Sequence, residues 1–173
     1  MKVFVRLFIL VSFFMLLTFA PSQAMGQIPM SFLKFLQNKI VDKPAVDFTL
    51  ETLSSGKVNM TAFREGKNSI IFFWATWCPH CREALAELSA QKAEIEQKGI
   101  KVILVDMGEE KEVVQEYAAR NKVNYEIFLD VDSSLSDSYS IVGVPTFIFV
   151  NQAGIVRAIE HGLSEGYENL FTQ

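Results

Sequence analysis

The sequence predicts an α/β protein: a central mixed sheet flanked by helices on both faces, with a hairpin extension on its N-terminal side. Three observations carry this reading. Residues 69–74 and 100–105 are strand-length runs too apolar to be wet on either face. Helical spacing follows each, with Leu85, Leu88 and Ile95 after the first and Val113, Val114, Tyr117 and Ala118 after the second. Residues 146–150 and 155–160, joined across Asn151-Gln152-Ala153-Gly154, add an antiparallel pair. Strand, helix and strand in alternation call for a sheet covered on both sides.

From the start of the chain, residues 1–24 read as an export signal rather than as part of the fold. Lys2 and Arg6 make a positive start, residues 7–20 are an uncharged stretch with only Ser12 and Thr18 polar, and Pro21-Ser22-Gln23-Ala24 offers small residues where a signal peptidase reads. A membrane span needs about 20 apolar residues. Cleavage after Ala24 is therefore expected, with an uncleaved anchor through residues 7–24 as the alternative. Neither cysteine lies near residue 24, which excludes a lipid-modified cysteine there. Removing Lys2 and Arg6 takes the formal charge from −4 to −6. Such a surface lacks the basic footprint that nucleic acid requires.

Residues 25–43 are expected to be a linker or an N-terminal helix, because Phe32, Leu33, Phe35, Leu36 and Ile40 follow a helical period soon after Pro29. Residues 44–173 make one domain, long enough to bury a core without staples. It opens with a hairpin of residues 48–50 and 58–60 across the turn Ser54-Ser55-Gly56-Lys57. Residues 61–64 suit one helical turn. This extension is expected to cover a sheet edge.

The helix after residue 81 is expected to run to Lys98, with Gly99 as its stop. Beyond the strand at 100–105 come an acidic loop at 106–110, a helix at 112–120, a short strand at 127–129, a short helix at 135–139 and a closing helix at 165–171. Asp130, Asp132 and Ser134 have a calcium-like spacing but lack the glycine and terminal glutamate of a calcium loop, so an ordinary acidic loop is expected. His161 is a lone histidine with local hydrogen-bonding duty.

Chemistry concentrates at Cys78 and Cys81, the only cysteines in the chain. They sit where the 69–74 strand gives way to a helix. First-turn amides of a helix lack partners within it and favour negative charge, so the junction stabilises a thiolate and lets a second thiol one turn away attack the first sulfur. Redox exchange is the leading reading; a metal site completed by other ligands and an inert structural pair are the alternatives. Cys78, nearest the free amides, is the expected nucleophile, and Pro79 costs nothing in a first turn. Cys81 is then the resolving cysteine, deeper in the helix. His80 can set an imidazolium or a donor near the Cys78 sulfur and so favour the reduced pair. Trp77 and Trp74 are expected to wall the site, with Trp74 equally suited to the core.

Trp74-Ala75-Thr76-Trp77-Cys78-Pro79-His80-Cys81 resembles the active-site segment of the thioredoxin superfamily, in particular its TlpA/ResA-like periplasmic or membrane-anchored branch. Val46-Asp47-Phe48-Thr49-Leu50, Val144-Pro145-Thr146 and Asn151-Gln152-Ala153-Gly154 extend the likeness over residues 44–170. It implies a thioredoxin-like fold and an extracytoplasmic thiol-disulfide oxidoreductase, monomeric and without cofactor or metal. Its implied partners are protein thiols or disulfides and a membrane or periplasmic redox protein. The resemblance also implies a cis bond at Pro145 that aligns the Val144 backbone with an extended substrate beside Cys78.

The branch implies a reductant, for instance of apocytochrome c thiols. The Cys78-Pro79-His80-Cys81 tetrapeptide matches that of the oxidant DsbA and implies the opposite direction; a thioredoxin-like metallochaperone or binding domain is the non-catalytic alternative. Two departures concern the proton of Cys81. Phe72 stands where thioredoxin has a buried aspartate, and Ala84 and Ala86 stand where TlpA/ResA-like proteins often have glutamate and proline. Glu83 is the acid at hand, displaced along the helix from the family's position.

Overall fold

The structure, a computed structural model, describes residues 39–172. The expected export signal and residues 25–38 of the expected linker lie outside the described residues; residues 39–43 form turns. No helix among the described residues is long and apolar enough to cross a membrane.

The opening hairpin forms as β1 (Thr49–Thr52) and β2 (Gly56–Asn59), followed by the one-turn helix α1 (Met60–Arg64). Asn59 caps α1 by accepting from the amide of Ala62. Then come β3 (Asn68–Trp74), α2 (Pro79–Ala90), α3 (Lys92–Gln97), β4 (Ile100–Met107) and α4 (Lys111–Asn121). β5 (Ile127–Asp130), α5 (Ser134–Ser138), β6 (Thr146–Val150), β7 (Val156–Glu160) and a 3-10 turn (Tyr167–Phe171) complete the chain. The sheet runs β2-β1-β5-β4-β3-β6-β7, with β3, β4 and β5 parallel and the remaining pairs antiparallel. The hairpin covers the edge of β5 through Thr52 opposite Phe128.

Alternation along the central strands sorts the core into two layers. Ile70, Phe72, Trp74, Val102 and Leu104 join Cys81, Leu85 and Leu88 of α2 on one face, while Ile71, Phe73, Ile103, Val105 and Phe128 join Met60, Leu135 and Tyr139 on the other. Stacking of Phe72 on Phe147, ring centroids 4.3 Å apart, ties β3 to β6 within the first layer.

Three elements differ from expectation. The helix expected to reach Lys98 breaks at Gln91. Ser89 donates its hydroxyl to the Leu85 carbonyl at 2.7 Å, a back-bond that bends helices, just before the break. β4 runs two residues further than expected, because Asp106 and Met107 continue the ladder opposite Leu129 and Asp130 of β5. The closing helix is a short 3-10 turn, since Gly166 at φ 75° interrupts the chain before Tyr167.

One buried cation joins α1 to the sheet. Arg64, 5% exposed, donates to Ser69 Oγ at 3.2 Å, to the Lys67 carbonyl at 2.9 Å and to the Asn151 carbonyl. Its loss removes all three donated bonds from a buried position, although the Lys67 carbonyl keeps the Ser69 hydroxyl and the Asn151 carbonyl keeps the Gly154 amide. Arg64→Ala is expected to cost about 3 kcal/mol in urea denaturation, against under about 0.5 kcal/mol for Arg120→Ala, whose pairing with Glu116 is exposed. Equal costs would show that the Arg64 contacts contribute little.

Candidate active site

The site begins with a strand that has no solvent face. Residues 70–74 are fully buried, hydrogen-bonded to β4 on one side and, through Phe73, to β6 on the other. Cys78 is the N-cap of α2, with extended backbone at φ −86° and ψ 112°, and Pro79 occupies the first turn, where a missing amide donor costs nothing. The Cys81 amide donates to Cys78 Sγ at 3.1 Å. Cys78 and Cys81 form a disulfide, their Cα atoms 5.2 Å apart. Cys78 is 4% exposed and Cys81 fully buried.

A second segment faces the pair. The Val144-Pro145 bond is cis, and the Val144 carbonyl oxygen lies 3.7 Å from Cys78 Sγ. Pro145 is held from behind: its carbonyl lies 2.9 Å from His161 Nδ1, and Thr146 donates its hydroxyl to the Gly143 carbonyl at 2.7 Å. Trp77, beside Cys78, is 66% exposed, and Val142 is exposed on the facing loop.

The other residues expected at the site divide between the core and the surface. Trp74 is fully buried in the core, its ring against Tyr117 at 5.4 Å. His80 and Glu83 are exposed and face each other, with His80 Nδ1 3.3 Å from Glu83 Oε2. The acid that approaches the active-site loop is instead Glu109. Its Oε2 accepts from the Thr76 amide and its Oε1 from the Thr76 hydroxyl, both at 2.6 Å. Gly108, at φ 72° and with a virtual Cβ 3.1 Å from Ser133 Oγ, makes the turn between β4 and this glutamate.

Asp106, read from the sequence as loop, is a fully buried strand residue in register with Trp74. Its carboxyl sits against Glu109, whose side chain and backbone both act on it through hydrogen bonding, while the Trp74 indole nitrogen has no hydrogen-bond partner. Burial first, then the neighbouring Glu109 carboxylate, push Asp106 up to about 8. Extending the alternation of Val102 and Leu104 by one step would have put Asp106 on the inner face. Nothing in the spacing pointed to the Glu109 clamp.

The chain belongs to the AhpC/TSA family, which matches residues 41–159. Within it, the chain is similar to the thiol-disulfide oxidoreductase ResA of Halalkalibacterium halodurans, 30% identical over 122 residues covering 70% of this chain and 69% of that one. ResA of Bacillus subtilis is 26% identical over 122 residues, 70% of this chain and 68% of that one. Among solved structures, StoA from Bacillus subtilis superposes with a TM-score of 0.62 at 23% identity, covering 75% of this chain and all (100%) of that one. A putative thiol:disulfide interchange protein DsbE from Chlorobium tepidum gives 0.67 at 22% identity, over 75% and 93% of the two chains. The protein is thus a thioredoxin-fold enzyme of thiol-disulfide exchange, and its substrates are protein thiols or disulfides.

Asp106 sets a pH dependence of stability. The native state holds a proton that the unfolded chain releases near pH 4, so this group stabilises the fold fully below about pH 4 and that contribution is lost as pH rises toward about 8. Asp106→Asn is expected to flatten the profile and to raise stability by on the order of 3 kcal/mol at pH 8. Denaturation midpoints measured from pH 4 to 9 check this; parallel profiles would contradict it.

Proposed function

We propose that the protein is an extracytoplasmic reductant of protein disulfides, with Cys78 as nucleophile and Cys81 as resolving thiol. The observation that carries the assignment is the Cys81 amide aimed at Cys78 Sγ at a helix start with no acid in its first turn. There the Cys78 thiolate is stabilised and the Cys81 thiolate is not. In the reduced enzyme the Cys78 thiolate attacks one sulfur of a substrate disulfide, forming a mixed disulfide and releasing the other sulfur as a thiolate. The Cys81 thiolate then attacks Cys78 Sγ; the bond to substrate breaks, and its electron pair leaves with the second substrate thiolate. Two electrons and two protons pass to the substrate, and a partner dithiol restores Cys78 and Cys81.

The Val144 carbonyl and the exposed Trp77 give an extended substrate a polar edge and an apolar support beside Cys78. Pro145 shapes that edge. Pro79 and His80 tune the pair from the first turn; Glu83 acts on it only through His80. Reduction is favoured over oxidation by the short passage from α2 to β4, which holds only α3 and no inserted helical domain. The name of the ResA relatives supports the same class, and thiols of apocytochrome c are the substrate that the resemblance suggests. Export through residues 1–24, with release after Ala24, places the site outside the cytoplasm; N-terminal analysis of the native protein tests it, and retention of residues 1–24 would mean an anchored form.

Equilibration with redox buffers tests the direction. A midpoint near thioredoxin's, about −270 mV, is expected; one near DsbA's, about −120 mV, would make the protein an oxidant. His80→Gln is expected to move the midpoint to more reducing values by no more than about 30 mV, because the exposed imidazole is already engaged by Glu83. No shift at all would remove the tuning role. Trapping with Cys81→Ser should capture a mixed disulfide at Cys78, and stoichiometric metal without a reversible disulfide transition would favour a metal-carrying domain.

A further inference from the structure

β7 ends at Glu160, which pairs with Phe147 near the start of β6. One step further along this antiparallel register His161 falls opposite Thr146, with Pro145 next in line. Its backbone is fixed on both sides, because β7 precedes it and Leu163, two residues later, is buried in the layer of Cys81 and Leu85. The residue itself is exposed, so the ring is not there to fill the core. Its contacts with the facing loop are polar: Nδ1 lies 2.9 Å from the Pro145 carbonyl oxygen and 3.4 Å from Thr146 Oγ1.

Those two distances fix the role of Nδ1. A carbonyl oxygen can only accept, so Nδ1 carries the hydrogen and donates it. The Thr146 hydroxyl spends its own hydrogen on the Gly143 carbonyl at 2.7 Å and keeps lone pairs with which to accept from the same Nδ1. The carbonyls on either side of Val144, those of Gly143 and Pro145, are thus both held by side-chain donors. The carbonyl between them is the one turned to Cys78 Sγ, at 3.7 Å. Peptide planes are rigid and the proline ring locks φ, so ψ of Pro145 is the one soft dihedral between the Pro145 carbonyl and the Val144 carbonyl. Pinning the first aims the second.

We propose that His161 is a positioning residue for this edge: by holding the Pro145 carbonyl it sets the angle of the Val144 backbone, and so favours extended polypeptide disulfides over small ones. This role rests on the reading of the protein as a reductant with Cys78 as nucleophile, and it adds which substrates the facing loop selects. A small disulfide needs only the Cys78 sulfur, which β3 and the start of α2 put in place. A polypeptide lying extended along the loop also needs backbone groups at the right angle, since a hydrogen bond weakens steeply when misaligned. His161 acts on the reaction through Pro145, and its effect belongs to binding rather than to the exchange of sulfur bonds.

Reduced full-length protein is mixed with two disulfides in turn, and the first turnover is followed over a range of concentrations. One is a short extended peptide whose cysteine is joined to a fluorescent thiol; the other is hydroxyethyl disulfide. His161→Ala is expected to raise the half-saturating concentration of the peptide about fivefold, the worth of one ordinary hydrogen bond, with the limiting rate and the rate with hydroxyethyl disulfide held within about twofold. His161→Asn, whose side-chain amide offers an N–H donor close to the place of Nδ1, is expected to recover most of the loss. Equal slowing with both disulfides, a change in the limiting rate alone, or an asparagine variant no better than the alanine one would overturn the proposal. Wild-type protein inert toward both disulfides would overturn the reductant reading and this role together, whereas normal wild-type activity with an unchanged peptide response in His161→Ala overturns this role alone. Should His161→Ala not fold, nitrogen NMR of the wild type decides. A hydrogen on Nδ1 is expected, with a signal that moves when the same peptide carrying serine for cysteine is added; a hydrogen on Nε2 alone, or a signal that the peptide leaves in place, would overturn the proposal.

Discussion

β3 is hydrogen-bonded to β4 along its whole length and to β6 from Ser69 to Phe73, and everything else at the site depends on this. Its side chains from Ile70 to Trp74 are buried on both faces, so the strand has no solvent side on which to shift register. A one-residue slip would exchange the layer of Phe72 and Trp74 for that of Ile71 and Phe73. The end of β3 is therefore fixed in space, and only Ala75, Thr76 and Trp77 separate it from Cys78. Glu109 restrains the middle one of these through both its amide and its hydroxyl. The cysteine thus reaches the helix start on a short lead, held at one end by packing and in the middle by a carboxylate.

The charge distribution follows from the same geometry. Parallel strands β3, β4 and β5 direct their C-terminal ends toward one rim, where α2 begins. That rim gathers first-turn amides, which favour an anion at Cys78, and also Asp106, Glu109 and Asp130 at the end of β4 or β5 or just beyond. The amides and the acids do not compete, because α2 has no acid in its first turn and the acids lie across the strand ends. Asp130 and Glu109 spend their oxygens on backbone and hydroxyl donors. Asp106, the most deeply buried of the rim acids on the Cys81 face, lies against Glu109, and burial with that neighbouring acid holds it toward its neutral form.

Much of this was legible in the chain. Apolar runs of strand length and the switch to helical spacing at Cys78 located β3, α2, β4 and the final hairpin, because burial on both faces leaves a pattern that depends on no distant residue. The pair Cys78 and Cys81 and the Val144-Pro145 loop were legible by motif. Asp106 was not, since an aspartate beside Gly108, Glu109 and Glu110 has the composition of a loop, and only the ladder with β5 keeps it in the strand. The break at Gln91 likewise came from a side chain bonding to the backbone, which hydrophobic spacing does not register. Glu109 and Thr76 are 33 residues apart and meet only because β3 and β4 are neighbours. His161 read as a residue of local duty, and its partner proved to be the carbonyl of Pro145.

Three separate stretches of chain therefore make one site: the loop and first turn around Cys78, the end of β4 with Glu109, and the loop of Val144 and Pro145 backed by His161. Each is anchored by a different kind of force. The first is set by strand burial, the second by a bidentate carboxylate, the third by hydrogen bonds from behind to the Pro145 and Gly143 carbonyls. Only Cys78 among the redox pair shows any surface, and the exposed rings and methyls of Trp77 and Val142 lie on the two segments that border it. A disulfide approaching these two segments meets Cys78, whose sulfur the Cys81 amide faces, while Cys81 stays inside the layer of Leu85 and Leu88. The sliver of surface at Cys78 and the full burial of Cys81 make the two sulfurs unequal, so that only the first can be reached from outside without the site opening.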